Sequence, residues 1–183
     1  MPYTGNRALA GLHPVRNSIG GNAPHIGYYD VSASYATSIG EGCVVVKTST
    51  GLQLSSATAP TAGTIVGVAA GNMLASTGGK LPVWDDPHQE FEVICSAALS
   101  AAETISAIGR YACLVANAYS SSTKQSDATL DKTTISGTIG SLFLMIIRLG
   151  TAVGDDYASA NMPLVVRFTG PSHMYGDTSV AHV

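Results

Sequence analysis

A chain of 183 residues is long enough to bury a real core, and 45% hydrophobic residues without long charged tracts argue against general disorder. Only 11% of the residues are charged, against roughly 25% in an ordinary soluble domain, and the net charge is −3. No Lys/Arg stripe supports binding to nucleic acid, and the most apolar run, Ile139 to Leu149, is about half a bilayer span and contains Arg148. A monomer needs surface charge to stay soluble, so an exterior this neutral points to one covered by neighbouring subunits.

Residues 1–36 hold Pro2, Pro14 and Pro24, repeated Gly and Asn, and no helical or strand period. They predict an extended N-terminal arm that docks on a partner, with Leu12, Ile19, Ile26, Tyr28, Tyr29 and Tyr35 as its interface side chains. Tyr offers large contact area at low rotamer cost. The N-terminus lacks the apolar h-region of a secretory signal, which points to synthesis in a cytoplasm.

From residue 37 to 169 the pattern changes to short β-rich runs divided by turn signals. Cys43–Thr48 and Leu52–Leu54 flank Ser-Thr-Gly and read as a hairpin. Strands follow at Ile65–Ala69 and Leu81–Trp84. Glu90–Cys95 alternates charged and apolar residues, the mark of a half-buried strand with Glu90 and Glu92 facing outward. Ser96–Ile108 is the one helix candidate, its Leu99, Ala102 and Ile105 sharing a face and Gly109 ending it. Tyr111–Val115, Leu142–Leu149 and Pro163–Phe168 complete the strands, and residues 170–183 read as a tail. The expectation is an all-β fold, a small barrel or sandwich with open strand edges and at most one short helix.

Few residues suggest chemistry. On a strand-like path Asp86, His88 and Glu90 would share a side and could bind a metal, but Asp-Asp-Pro is also a common turn opener. The Asp155-Asp156 loop with Asn161 lacks the calcium-loop spacing. His13, His25, His173 and His182 are irregularly spaced, and no nucleophile elbow or phosphate-binding glycine motif occurs. Cys43, Cys95 and Cys113 read as small buried hydrophobes, with a disulfide between two of them left open. The expectation is a non-enzymatic protein without a cofactor.

One order of segments has a known likeness. Ile65-Val66-Gly67-Val68-Ala69-Ala70-Gly71 is followed by Leu81-Pro82-Val83-Trp84-Asp85-Asp86-Pro87-His88-Gln89-Glu90-Phe91-Glu92-Val93. Ile108-Gly109-Arg110-Tyr111, the polar Ser121–Ser126 run and the Leu144–Leu149 strand come next. Over roughly residues 40–168 this resembles the capsid decoration (cement) and head structural proteins of tailed bacteriophages. The resemblance implies a small β-barrel protein, made in the host cytoplasm, that joins major capsid subunits on the virion exterior as a dimer or trimer. The alternatives are a carbohydrate- or receptor-binding β module of a virion, for which Trp84 is the one tryptophan available, or another head or tail protein.

Overall fold

The computed structural model describes residues 10–17, 24–61, 63–150 and 162–175. In chain order the strands are β1 (His13–Asn17), β2 (Ile26–Val31), β3 (Val44–Thr48), β4 (Gly51–Leu54), β5 (Ile65–Ala69), β6 (Gly79–Trp84) and β7 (Gln89–Ile94). A short helix α1 (Ala101–Ala107) precedes β8 (Tyr111–Ala112), β9 (Leu144–Leu149) and β10 (Pro163–Phe168). They form two five-stranded antiparallel sheets, sheet A in the order β1-β7-β10-β9-β8 and sheet B in the order β2-β6-β5-β3-β4. The fold is an all-β sandwich without a closed barrel.

The first core fills the space between the sheets. Phe91, Val93, Phe143, Leu144, Ile146, Leu164, Val166 and Phe168 meet Val44, Ile65, Val68 and Trp84 of sheet B there. Sheet B also buries its other face, where Val45, Leu52, Val66, Leu81 and Val83 pack with Ile39 and Cys43. Burial on both faces explains the unbroken apolar run of β5. A bulge lets β5 serve both cores. Opposite Val45, β5 has an extra residue, and Gly67 (φ 156°) takes a conformation in which a Cβ would overlap the Trp84 carbonyl.

Asn117 supplies a missing ladder. Its buried side-chain amide accepts from Val44 N–H (2.9 Å) and donates to the carbonyls of Val44 (2.8 Å) and Ser55 (3.0 Å). The three cysteines are buried and free, and burial pushes each thiol pKa up.

The structure departs from expectation in several places. Two described stretches of the expected arm belong to the sandwich, since β1 lies at an edge of sheet A and β2 at an edge of sheet B. The helix starts later than expected, at a capping box in which Ser100 and Glu103 exchange hydrogen bonds. Its buried residues are Thr104 and Ala107, while Ile105 is 77% exposed and Leu99 packs in the core before the helix begins. Glu90 is only 2% exposed and approaches Arg148 of β9 rather than solvent, although it lies on the face of β7 opposite Phe91 and Val93. Residues 170–175 are no loose tail: Ile65 N–H donates to Ser172 O, and Met174 N–H donates to Ile65 O (2.7 Å).

The sheet edges are blunted rather than open. On β1, Pro14 lacks a donor and a register shift bulges the strand at Val15. On β4, the Leu54 N–H donates to the Tyr35 hydroxyl at 3.0 Å. Gly51, at φ 120°, brings the start of β4 against the Asp30 carbonyl of β2, where a Cβ would sit at 2.9 Å. Sheet B therefore curls until its two outer strands touch.

Candidate functional site

Strand β2 alternates exposed and inward residues, and its two faces have different chemistry. Ile26 (43% exposed) and Tyr28 (67% exposed) face outward opposite Trp84 and Pro82 of β6. Trp84 belongs to the inter-sheet core, but Tyr28 lies past the cover of sheet A and stays open. Asp30 continues this row and pairs with Lys80 at 3.0 Å, giving the apolar strip a charged end.

The inward face of β2 leads to a polar network. Leu81, Val83 and Asp85 alternate onto the same side of β6, so the strand that fills the second core ends by placing a carboxylate at its rim. Asp85 is buried, accepts the Tyr29 hydroxyl at 2.6 Å and is bonded to His25 Nδ1 at 2.5 Å. Gly27 makes room for it, since a Cβ there would overlap the carboxylate. The hydrogen bond and negative charge of Asp85 raise the His25 pKa above its usual value. Burial, and then its hydrogen bond to Asp85, raise that of Tyr29.

His25, Asp85, Asp86, Pro87, His88 and Tyr175 line an open cleft of about 400 Å³. The Tyr175 hydroxyl stands 3.3 Å from that of Tyr29. Beneath it His173 is 1% exposed, its ring beside Phe168 and Tyr175 at centroid distances of 5.8 and 6.0 Å. The His173 Nδ1 accepts the Tyr175 N–H at 3.1 Å.

The predicted interface residues thus separate into distinct roles. Ile26 and Tyr28 form the exposed strip. Tyr29 belongs to the Asp85 network, and Tyr35 caps the β4 edge. Leu12 is fully buried in the inter-sheet core, so it packs its own chain rather than facing a partner. Ile19 lies outside the described residues, as do Asp155, Asp156, Asn161 and His182.

Asp86, His88 and Glu90 do not converge. Asp86 Oδ1 accepts the His88 N–H at 2.8 Å, the turn-opening role open to Asp-Asp-Pro, whereas Glu90 enters β7 and approaches Arg148 Nη2 at 3.6 Å. Among the described residues, no group of three or more His, Cys, Asp or Glu side chains could hold a metal ion. No helix among them is long and apolar enough to cross a membrane.

Sequence reading missed the Asp85 network, because its members lie far apart in the chain. Extending the period of β6 by one inward position would have found Asp85. Compared with known protein families, curated proteins and solved structures, the chain matches none.

Proposed function

We propose that this chain is a virion structural protein of a tailed bacteriophage that binds the capsid exterior and cements neighbouring major capsid subunits, acting as a homo-oligomer. One observation carries the reading: an exposed apolar strip, Ile26 and Tyr28, on an edge strand of a chain with only 11% charged residues. Such a strip is suited to burial at a subunit joint, where Tyr serves as an anchor.

The blunted edges make the mode of attachment specific. Strand addition would need open backbone donors, and Pro14, the Val15 bulge and the Tyr35–Leu54 bond leave little opportunity for it. Cementing here works through side chains on the β2 face. Many weak contacts repeated over a lattice suffice, because each oligomer arm raises the effective concentration of the next. The carbohydrate-binding alternative loses its best aromatic, since Trp84 is buried in the core.

The test is co-sedimentation with purified phage heads that lack the protein. The wild type pellets with the heads, and an Ile26→Ser/Tyr28→Ser variant keeps its thermal midpoint but stays in the supernatant. Equal pelleting of the two would remove the β2 face from the account.

A further inference from the structure

The segment 169–175 crosses the end of sheet B at a place where the sheet has lost a strand. β6 pairs with β5 at Val68 and Ala69 and then turns away, so Ile65 has no β6 partner. Residues 171–174 take that position. Gly63 N–H donates to Pro171 O (2.8 Å), Ile65 N–H to Ser172 O (3.2 Å) and Met174 N–H to Ile65 O (2.7 Å). Met174 packs on the second core, and a 2.6 Å bond between the Thr169 and Ser172 hydroxyls shapes the approach.

The residue at the centre of this segment is an imidazole. His173 Nδ1 accepts from Tyr175 N–H, and its Nε2 is buried with no well-formed hydrogen bond, the Val66 backbone offering only a weak one. An Nδ1 that accepts a hydrogen bond fixes the neutral tautomer with the proton on Nε2. A second proton would have to go on Nδ1, where it would face the Tyr175 N–H. It would also place a charge where water does not reach.

We propose that residues 169–175 are a strap which protonation of His173 releases from the end of sheet B. Among the described residues, the charged and titratable groups around His173 are Asp85, Asp86 and His88 of the β6–β7 turn, with Tyr175 of the strap itself. β5 and Phe168 offer backbone and apolar surface. The two carboxylates favour the charged imidazole, but Asp85 is already engaged by His25 and Tyr29 and is not available to neutralise it. Burial is the larger effect and lowers the His173 pKa to about 4. Once the strap lifts, the imidazole regains water, Met174 leaves the second core and the cleft beside Asp85 opens. This device does not depend on what the β2 face binds.

Amide exchange on the full-length protein tests it. The reporters are the Ile65 and Met174 amides, with the Ile146 amide of β9, bonded to the Arg110 carbonyl, as an internal control. A released imidazole with the ordinary value of 6.5, against about 4 in place, predicts that strap protection falls about 20-fold between pH 7 and pH 5, after correction for intrinsic exchange. Ile146 should keep its protection. His173→Gln retains an acceptor for Tyr175 N–H and does not titrate in this range, so its strap protection should stay level. The proposal is overturned if the wild-type strap stays level, if Ile146 loses protection in step with it, or if the Gln variant falls as the wild type does. Should that variant fail to fold, the wild-type comparison of Ile65 and Met174 with Ile146 decides alone.

Discussion

Gly27 and Asp85 occupy one position between them: the carboxylate lies in the space that a β-carbon on residue 27 would fill. That packing lets Asp85 reach both His25 and Tyr29 from the end of β6. Gly27→Ala must push the carboxylate off these partners or displace β2. The expected loss is about 1–3 kcal/mol, the usual cost of overpacking, read as a lower denaturation midpoint. An unchanged midpoint would show that the rim of the second core yields freely.

Phe91 is fully buried and its ring lies 5.7 Å from that of Phe168, linking the neighbouring strands β7 and β10 on the core face of sheet A. Phe91→Ala should cost about 3–5 kcal/mol in chemical denaturation, since it leaves a cavity that β-sheet backbone cannot close. A cost near zero would contradict the packing described for sheet A.

Asn117→Ala removes the acceptor of Val44 N–H and one donor to each of the Val44 and Ser55 carbonyls, of which the Val44 carbonyl keeps the Ser55 N–H. Val44 N–H is then left buried without an acceptor, and a loss of about 1–3 kcal/mol follows. Asn117→Asp keeps the acceptor but loses both donors and adds a buried charge, so it should be worse than Ala. If Asp is tolerated better than Ala, water reaches this site.

Two histidines give stability opposite pH slopes. His25 has a raised folded-state pKa, so its contribution is complete below 6.5 and is lost as pH rises through the folded value. His173 has a lowered one, about 4 against 6.5, so its contribution is complete above 6.5 and fades as pH falls to about 4. The His173 shift corresponds to about 3 kcal/mol across that window. Thermal midpoints should therefore peak near pH 6.5. His25→Gln should flatten the alkaline side, and His173→Gln the acid side. A peak that neither substitution reshapes would assign the pH dependence to other groups.

The strands read correctly from sequence are those whose apolar residues dominate, such as β3, β5, β9 and β10. β1 and β2 were illegible for a local reason. Pro14 and the bulge at Val15 interrupt the period of one, and Gly27 stands where the inward face of the other would show a large side chain. Each of these features blunts an edge or admits Asp85, so what hides the strand from the sequence is what shapes the site. Glu90 misleads in the opposite way, since the apolar and charged alternation of β7 suggests a solvent-facing row, whereas Glu90 is buried beside Arg148. Composition marks Tyr28 together with the rest of the arm, whereas only the fold separates it from Leu12 and Tyr35.

The central claim is that this chain's neutral exterior and its β2 strip are covered by capsid subunits in a virion. Quantifying the chain against the major shell subunit in purified phage particles addresses it directly. The account predicts a fixed ratio, preserved through gradient purification. Complete absence from particles, with the protein persisting as a free monomer, would contradict it.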